Sequence, residues 1–536
     1  MELSNKGLEQ KEEWKRAGFS VPEFDRNKMI ERTKEDPVWI HFGAGNIFRA
    51  FQANIVQKLL NEGSMETGII VAEGYDYEII EKINRPYEEW SILVTLKADG
   101  KVEKTVVGSV AESIILDRGR EEEMERALEI FRKDSLQMVS FTITEKGYNL
   151  KTEDGNYVPV IEKDMQKKPE LASSYMGKIA ALLYERFLSG EKKIALVSMD
   201  NCSHNGDRLR EAIAAFAKEW EAGEKVKKGF LSYIKNKEKV SFPWTMIDKI
   251  TPRPDKKVET ILEKDGIRGM QPIITEKRTY TAPFVNAEEC EYLVIEDCFP
   301  NGRPPLEKAG VFFTDRETVE RVEKMKVCTC LNPLHTTLAI FGCLLGYELI
   351  AEEMKDPVLR RLVERIGYEE GMPVVVDPGI LDPKQFLDTV LQVRIPNPFM
   401  PDTPQRIATD TSQKLAVRFG ETLKAYERSK TLKAENLEMI PLVFAGWIRY
   451  LLAVDDEGKA FVPSTDPMFI TLRPYISQLQ FGKAEKIHES VQPILEMEKI
   501  FGVDLYAIGL GEKVEKYLQE MIQGESAVKK TLEKYV

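Results

Sequence analysis

A strand, a glycine turn, a helix and a second strand follow one another near the start of the chain. Residues 38–42 are apolar and β-rich, residues 43–46 read Gly-Ala-Gly-Asn, and residues 47–60 have helical periodicity. Residues 68–72 form a second apolar, β-rich run. This order predicts a βαβ unit, the usual beginning of a doubly wound parallel sheet. It restricts the first part of the chain to an α/β fold.

The glycine turn suits the pyrophosphate of a dinucleotide. Gly43 and Gly45 let the backbone approach a ligand, and the following helix offers its N-terminal amides and dipole. Phe48 stands where the third glycine of the dinucleotide fingerprint would be, so a tight turn without a ligand explains the pattern about as well. Glu73 and Asp76 follow the second strand, where an acidic side chain binds ribose hydroxyls and favours NAD over its 2′-phosphorylated form. Both can equally be solvated loop carboxylates, because they lie further from the glycines than the usual ~20 residues.

The whole chain divides into two predicted domains. Further β-branched runs lie at residues 91–96, 106–110, 137–144 and 194–199. Residues 299–305 hold two turn signals and a proline pair, and beyond them residues 357–367, 411–429 and 436–454 are helical in pattern. We therefore expect an α/β protein with an N-terminal Rossmann-like doubly wound sheet domain (residues 1–302) and a mostly α-helical C-terminal domain (residues 303–536). The proline-rich connector 374–404 is expected to be irregular.

Composition argues against several classes of partner. The chain carries 76 Lys and Arg against 88 Asp and Glu, and its net charge of −12 disfavours nucleic acid and anionic membranes. The apolar stretch 440–454 contains Arg449 and falls short of the ~20 residues of a transmembrane helix, so it predicts a buried helix. The charged N-terminus lacks the apolar core of a signal peptide, which predicts a cytoplasmic protein. Six cysteines in so long a chain set no disulfide framework.

Three chemically versatile side chains lie within ten residues in the C-terminal half. Lys326, Asn332 and His335 supply an amine, a carboxamide and an imidazole, and on a helix the last two share a face. A capped helix start beside a polar surface explains the same trio. For Cys328 and Cys330, reduced thiols are favoured over a metal site, because zinc usually needs a second pair or histidines at fixed spacing.

Two other polar groups are candidates for substrate binding. Asn201 follows an apolar strand, and open α/β sheets bind ligands at the carboxyl ends of their strands. An Asx turn followed by a helix cap explains this segment too. Arg406 and Lys414 can together grip a carboxylate, and surface salt bridges would explain them nearly as well.

Six motifs in order resemble the polyol-specific long-chain dehydrogenase family, also called the mannitol dehydrogenase family. They read FGAGNIFR at residues 42–49, TITEKGY at 142–148, SMDNCSHNG at 198–206, MIDKITP at 246–252, VIEDCF at 294–299 with GRPP at 302–305, and DTSQK at 410–414. The resemblance runs from about residue 37 to the C-terminus. It implies a zinc-independent, NAD(P)-linked oxidoreductase that interconverts a secondary alcohol and a ketone.

The resemblance also implies roles for individual residues. Lys326 corresponds to the general base of the family, since a lysine in a partly desolvated cleft can take the alcohol proton. Asn201 and Asn332 correspond to amides that hold the developing alkoxide, and His335 to a residue that orients the substrate. The residues expected near the substrate are Asp248, Arg406 and Lys414. NAD, with NADP less favoured and no metal, is expected at Gly43, Gly45, Asn46, Phe48, Arg49, Glu73, Asp76, Thr144 and Glu145.

Two departures from the family pattern concern the same segment. Lys326 and Asn332 are separated by one residue more than is usual in the family, which makes Lys324 a fallback for the base. Pro333 stands where the family usually has glycine. Proline fits the first position of a helix, so we expect Asn332 as the cap and His335 on the first turn.

Within the family, the chain looks most similar to members that interconvert D-mannonate and D-fructuronate. The length of the chain, the Cys-rich segment 326–335 and residues 398–406 carry this likeness. A hexuronate needs a cation for its carboxylate, which Arg406, Lys414 or Arg394 can supply. A mannitol 2-dehydrogenase or a tagaturonate reductase is the alternative, and a non-catalytic NAD-binding protein a remote one. The expected partner is a small sugar acid or polyol, with no nucleic acid or membrane, and the expected state is a monomer or homodimer.

Overall fold

The computed structural model describes residues 1–536 and divides into two compact units. Unit 1 comprises Met1–Lys97 and Lys101–Val319, and unit 2 comprises Ala98–Gly100 and Glu320–Val536. The sequence places the boundary after residue 302. In the structure, a strand at Phe312–Thr314 still pairs in parallel with a strand of unit 1, so the chain beyond residue 302 continues that unit.

Unit 1 contains all the β-strands of the chain. In chain order they are β1 (Phe19–Ser20), β2 (Trp39–Phe42), β3 (Ile69–Glu73), β4 (Ser91–Leu96), β5 (Val102–Val107), β6 (Val110–Ile115), β7 (Met138–Phe141), β8 (Ile194–Ser198), β9 (Val240–Ser241), β10 (Thr245–Asp248), β11 (Ile273–Ile274), β12 (Tyr280–Thr281), β13 (Phe284–Glu288), β14 (Tyr292–Glu296) and β15 (Phe312–Thr314). Its helices are α1 (Lys11–Arg16), α2 (Arg26–Glu35), α3 (Ala53–Asn61), α4 (Glu121–Arg132), α5 (Pro159–Gln166), α6 (Tyr175–Leu188), α7 (Asn205–Ala222), α8 (Phe230–Lys235) and α9 (Lys256–Lys264).

A six-stranded parallel sheet confirms the predicted doubly wound fold. Its order is β6-β3-β2-β7-β8-β9, and every neighbouring pair is parallel. Alternate residues of one strand enter different hydrophobic clusters, Ile40 in one and Trp39 in the other, so both faces of the sheet are covered. The chain leaves β2 towards β3 on one side and later returns to β7 on the other. Such a reversal of strand order marks the place where open α/β sheets bind ligands.

Smaller sheets account for the remaining strands. Their orders are β1-β5-β4-β13, β10-β14-β15 and β11-β12. The single strand expected at residues 106–110 is wrong, because β5 ends at Val107 and β6 begins at Val110 in a different sheet. Between them, a Cβ on Gly108 would lie 2.2 Å from the Trp90 ring, so glycine is needed for this close approach.

Unit 2 is helical, as expected. The helix α10 (Arg316–Lys324) leads into it, and the others are α11 (Asn332–Leu345), α12 (Ile350–Glu353), α13 (Pro357–Arg365), α14 (Pro383–Thr389), α15 (Pro404–Ile407), α16 (Thr411–Leu415), α17 (Glu421–Arg428), α18 (Met439–Leu451), α19 (Phe469–Ile476), α20 (Ile487–Leu495), α21 (Glu498–Phe501), α22 (Gly511–Met521) and α23 (Ala527–Tyr535). π-helical segments lie at Met325–Cys330, Ile366–Gly371, Val390–Arg394 and Ala416–Gly420.

The expectation of an irregular connector at residues 374–404 is wrong for its middle part. The helix α14 begins there, and the π-helical segment Val390–Arg394 continues it. The Asp382 side chain accepts hydrogen bonds from the backbone N–H groups of Lys384 and Gln385, and Pro383 occupies the first turn. An acidic cap followed by proline favours a helix start, so this proline begins a helix instead of preventing one.

The apolar stretch 440–454 forms the predicted buried helix, α18. Its Arg449 is fully buried and donates hydrogen bonds to the carbonyl oxygens of Met521, at 3.2 Å, and Asp455, at 2.9 Å. A different helical run, Arg316–Leu345, is long and apolar enough to cross a membrane. Its most apolar window is 78% buried inside the protein, as is usual for a core helix, so it is weak evidence for a membrane span.

We expect Glu370 to stabilise unit 2 through the start of α18. Its buried carboxylate accepts hydrogen bonds from the N–H groups of Glu438, Met439 and Ile440 at 2.6–2.8 Å, where unpaired helix amides would otherwise be buried. Glu370→Ala should lower the free energy of unfolding by about 2 to 4 kcal/mol, measured by urea denaturation.

The matched control is Glu369→Ala at the neighbouring position. Glu369 is half exposed and pairs with Arg365 on the surface, so its loss should cost less than about 1 kcal/mol. Equal effects of the two substitutions would contradict the capping role of Glu370.

Candidate functional site

The predicted glycine turn joins β2 to the following helix. Gly43 has a φ of +109°, and a Cβ there would lie 2.3 Å from the carbonyl oxygen of Thr142, so only glycine fits. A Cβ on Gly45 would meet no atom within 4 Å. The backbone at Gly45 therefore faces open space, which leaves room for a ligand to approach.

Glu73 holds this turn in place. Its Oε2 accepts a hydrogen bond from the Ala44 N–H at 2.9 Å, and its Oε1 accepts from the N–H groups of Tyr75, at 2.8 Å, and Asp76, at 3.2 Å. Burial raises the pKa of Glu73, and these three amides oppose that shift. Both oxygens are therefore used within the protein, where they connect the glycine turn to the loop that follows β3.

A cavity of about 580 Å³ in unit 1 lies against the glycine turn and the carboxyl ends of β3 and β7. Of the residues predicted for the coenzyme, it is lined by Gly43, Gly45, Glu73, Asp76 and Thr144. The other lining residues come mainly from the loops after β3 and β7 and from the start of α6. The cavity thus occupies the ligand position expected of a doubly wound sheet.

The cavity wall holds polar atoms without partners. Asp76 accepts a hydrogen bond from the Thr275 hydroxyl through Oδ2 at 2.7 Å, whereas its Oδ1 is buried and has no partner. The Tyr175 hydroxyl, from the start of α6, is likewise buried without one. Buried polar groups are nearly always hydrogen-bonded, so each of these atoms suits a polar ligand. With the open backbone at Gly45, they fit a dinucleotide.

Asp200 is a site residue that the sequence reasoning missed. It lies two residues after the end of β8, and its carboxylate accepts hydrogen bonds from the N–H groups of Ile143, at 3.0 Å, and Thr144, at 2.8 Å. Thr144 has a φ of +66°, which is strained for a branched residue. Asp200 therefore positions the strained loop after β7, and its place at a strand end was the available signal.

Four residues predicted for the coenzyme do not line the cavity. Phe48 is fully buried and stacks on the His41 ring at 4.7 Å. Arg49 is buried, donates to the Asn46 carboxamide at 2.8 Å, and has its pKa lowered to about 10 by burial. Glu145 forms an ion pair on the surface. The contacts of Phe48, and the hydrogen bond between Arg49 and Asn46, therefore stabilise the turn and the helix after it.

Asn201 and Asp248 also belong to unit 1. Asn201 follows Asp200 at the carboxyl end of β8 and is exposed. Asp248 is the last residue of β10 and is buried. Both therefore lie at strand ends, as the sequence predicted for Asn201.

In unit 2, a π-helical turn accommodates the unusual spacing between Lys326 and Asn332. The Leu331 N–H donates to the Lys326 carbonyl oxygen at 3.0 Å, five residues back, where an α-helix would bond four back. A π turn takes up one extra residue, and such turns are frequent at functional sites. Lys326 lies in this π turn, and Asn332 begins α11 directly after the non-helical Leu331 (φ −127°).

The two candidate lysines differ in burial. Lys326 is 2% exposed. Lys324 is half exposed and pairs with Glu320, which raises its pKa. Of the two, only Lys326 is desolvated as the chemistry requires. Burial raises the pKa of the Cys328 and Cys330 thiols to about 12, so both are inert, protonated thiols.

Asn332 and His335 both lie in the first turn of α11. Pro333 lies in that turn too, but the expectation that Asn332 caps the helix is wrong, because the helix starts at Asn332 itself, one residue earlier, and Leu331 is the cap. Burial lowers the pKa of His335 to about 4. The imidazole is therefore neutral at physiological pH and can donate one hydrogen bond and accept another.

Positive charge surrounds this imidazole. Three guanidinium groups lower the pKa of His335 beyond the effect of burial, and the Asp402 carboxylate opposes them. They belong to Arg394, Arg406 and Arg418. Sequence reasoning considered the first two and missed Arg418, which lies within the π-helical segment Ala416–Gly420.

The predicted carboxylate ligands Arg406 and Lys414 already have partners. The Arg406 side chain is 62% exposed and forms an ion pair with Asp402. The Lys414 ammonium donates to the carbonyl oxygens of Ile407 and Thr409. Both contribute positive charge, and neither is a buried cation in need of an anion.

Both units match domains of one known family. Residues 38–308 match the mannitol dehydrogenase Rossmann domain, and residues 318–522 match the mannitol dehydrogenase C-terminal domain. The chain therefore belongs to the mannitol dehydrogenase family, and it is a secondary-alcohol dehydrogenase.

The relatives include one of high similarity. A protein of Thermotoga maritima named D-mannonate oxidoreductase is 52% identical over 100% of this chain and 99% of its own length. An Escherichia coli protein of the same name is 28% identical over 90% of this chain and 91% of its own length.

Solved structures agree with the fold. A Pseudomonas fluorescens mannitol 2-dehydrogenase, in a ternary complex with NAD and D-mannitol, has a TM-score of 0.70 at 25% identity, covering 100% of this chain and 99% of that one. A substrate-free D-sorbitol dehydrogenase has a TM-score of 0.78 at 24% identity, covering 96% and 98% of the two chains, and shows the fold alone.

We expect Glu73→Gln to destabilise unit 1, because an amide cannot accept hydrogen bonds at both ends. The NH₂ group would face either the Ala44 N–H or those of Tyr75 and Asp76, and at least one buried donor would lose its partner. The free energy of unfolding should fall by about 1 to 3 kcal/mol, measured by urea denaturation.

Glu81→Gln is the surface control for this substitution. Glu81 pairs with Arg120 on the surface, so its change should cost about 0 to 1 kcal/mol. If Glu73→Gln proves no more destabilising than Glu81→Gln, Glu73 does not hold the turn.

Proposed function

We propose that this chain is an NAD-dependent oxidoreductase that interconverts D-fructuronate and D-mannonate. The observation that carries this proposal is the group of arginines near His335, namely Arg394, Arg406 and Arg418, of which Arg418 forms no ion pair with a carboxylate. A hexuronate carries a carboxylate that such a field attracts, whereas a neutral polyol does not need it. The field is local, because the chain as a whole has a net charge of −12.

The relatives support the same substrate. The Thermotoga maritima protein carries the name D-mannonate oxidoreductase and is similar to this chain over its full length. Proteins named mannitol 2-dehydrogenase are 27% identical, as in Aspergillus fumigatus. Mannitol 2-dehydrogenase and tagaturonate reductase are the alternative activities, of which the former would leave the cationic cluster without an anion.

The cavity in unit 1 is proposed as the coenzyme site. Gly43 and Gly45 would admit the pyrophosphate, and the free Oδ1 of Asp76 would accept hydrogen bonds from the adenosine ribose. Glu73 would act indirectly, because its oxygens already accept three backbone N–H groups. When bound, the nicotinamide exchanges a hydride with the substrate carbon, which is the chemistry of the coenzyme itself.

The protein supplies the acid–base group and the hydrogen-bond donors to the reacting oxygen of the substrate. Lys326 Nζ would take the hydroxyl proton of D-mannonate and return it to the oxygen during fructuronate reduction. The carboxamides of Asn201 and Asn332 would donate hydrogen bonds to the same oxygen as its negative charge develops, each worth about 3 to 4 kcal/mol when well placed. His335 is neutral, so it would orient a substrate hydroxyl without adding charge.

The proposed substrate is tested by following NADH oxidation with three ketoses at equal concentration. D-Fructuronate should be reduced faster than D-tagaturonate and D-fructose. Preference for D-fructose would identify a polyol dehydrogenase, and preference for D-tagaturonate a tagaturonate reductase. An absence of turnover with all three would favour a non-catalytic NAD-binding protein.

We expect Lys326→Ala to remove the base without removing the coenzyme. The rate constant kcat should fall by about 10² to 10⁴, because general acid–base catalysis contributes that much. NADH affinity, measured by fluorescence titration, should change less than about threefold.

Lys324→Ala is the control for the base. Its ammonium group is half exposed and paired with Glu320, so its loss should leave kcat within about twofold. The reverse result, a large loss with Lys324→Ala and none with Lys326→Ala, would transfer the role to Lys324.

We expect Asp76→Ala to weaken coenzyme binding and relax its selectivity. The carboxylate favours ribose hydroxyls and repels a 2′-phosphate, so its loss should raise the Kd for NADH about tenfold and lower the preference for NADH over NADPH. Fluorescence titration with both nucleotides gives both numbers. An unchanged ratio of the two Kd values would exclude Asp76 as the ribose ligand.

A further inference from the structure

We infer that Arg418 binds the carboxylate of the substrate and thereby sets the preference for a sugar acid over a neutral ketose. This inference rests on the proposed function and names the residue that distinguishes a charged substrate from a neutral one. Arg418 lies in the π-helical segment Ala416–Gly420, between α16 and α17.

The guanidinium group of Arg418 is a largely buried cation without a paired carboxylate. Its Nη1 donates a hydrogen bond to the Thr336 hydroxyl, and no carboxylate forms an ion pair with it. Burial lowers its pKa to about 10, so the group stays charged at neutral pH. A desolvated charge is costly unless it is paired, which makes an anionic ligand the natural partner.

The remaining donors of Arg418 are open. A guanidinium has five N–H groups, of which one is used in the bond to Thr336. The other four N–H groups make no hydrogen bond within the protein, and they are arranged in the planar fork that matches a carboxylate.

The position of Arg418 joins it to the proposed substrate site. Its hydrogen-bond partner Thr336 directly follows His335 in α11, and the charge of Arg418 lowers the pKa of His335. A carboxylate on Arg418 would therefore lie close to the imidazole that is proposed to orient the substrate.

The other cations near His335 fit this role less well. Arg406 is mostly exposed and is neutralised by Asp402, and Lys414 is occupied by two backbone carbonyl groups. Arg394 is buried and adds to the positive field. Arg418 is thus the cation whose burial, free donors and missing counter-ion together call for an anion.

The test compares Arg418→Gln with the wild-type protein on D-fructuronate and D-fructose. The two ketoses differ in a single group, a carboxylate in the first and a primary alcohol in the second. Arg418→Gln should lower kcat/KM for D-fructuronate at least about 50-fold, mainly through KM, because the carboxylate is bound equally in the ground and transition states. For D-fructose, kcat/KM should change less than about threefold.

Arg428→Gln is the matched control in α17. The Arg428 guanidinium also makes one hydrogen bond, to the Lys424 carbonyl oxygen, but it is exposed. This substitution should change neither substrate by more than about twofold.

A second variant, Arg418→Met, and a second measurement, the thermal midpoint of unfolding, distinguish a loss of carboxylate binding from a folding defect. Arg418→Met removes an unpaired buried charge, so its thermal midpoint without substrate should match or exceed that of the wild-type protein. D-Fructuronate in the presence of NADH should raise the midpoint of the wild-type protein and fail to raise that of Arg418→Met.

Two results would overturn the inference. One is an equal loss with both ketoses, which would show a structural role, and the other is an unchanged KM for D-fructuronate in Arg418→Gln. Either would leave the proposed function standing if the wild-type protein still prefers D-fructuronate. A wild-type protein that prefers D-fructose would overturn the proposed function and this inference together.

Discussion

The buried carboxylate of Glu73 is the interaction on which the architecture of the coenzyme cavity depends. It stands at the end of β3 and accepts backbone hydrogen bonds from Ala44 in the glycine turn and from Tyr75 and Asp76 in the next loop. A parallel sheet places the carboxyl ends of β2 and β3 side by side, and this carboxylate connects the two loops that emerge there. Both oxygens of Glu73 accept backbone hydrogen bonds, whereas Asp76 keeps one oxygen, Oδ1, without a partner in the protein.

In unit 2, polar side chains such as Lys326 lie next to the largely apolar helix α11. The π turn at Met325–Cys330 takes up one residue, and only Leu331 separates this turn, which holds the buried Lys326, from α11. Around the start of α11, three arginines and Asp402 act on His335 in a chain that is acidic overall, and Arg418 forms no ion pair with a carboxylate. The charge proposed to attract a sugar acid is therefore local, and distant acidic groups on the surface are screened from it.

Much of the fold could be predicted because its signals are local. The apolar strand, the glycines and the helical period around residues 38–72 all agree, and the parallel sheet confirms them. The predictions of secondary structure were wrong where one or two residues end or start an element within a uniform stretch of sequence. Gly108 divides an apolar run between two sheets, and Asp382 with Pro383 starts a helix within a proline-rich segment.

The site was predicted less completely, because its geometry depends on contacts between distant residues. Glu73 and Asp76 could be named together from their place after β3, but the hydrogen bonds that separate their roles require the folded turn. Arg418 gives no signal in the sequence, since an arginine in a helix is usually a surface residue. The role inferred for Arg418 depends on its hydrogen bond to Thr336, 82 residues earlier in the chain, and on the lack of a paired carboxylate.

We propose that the protein reduces D-fructuronate to D-mannonate with hydride from NADH, and isotopic labelling of the product is the decisive measurement. The protein would be incubated with D-fructuronate and NADH deuterated at the transferable position, and the product analysed by NMR and mass spectrometry. We expect D-mannonate with one deuterium on the newly formed carbinol carbon. Unlabelled product, the epimer at that carbon, or unreacted D-fructuronate beside a readily reduced neutral ketose would contradict it.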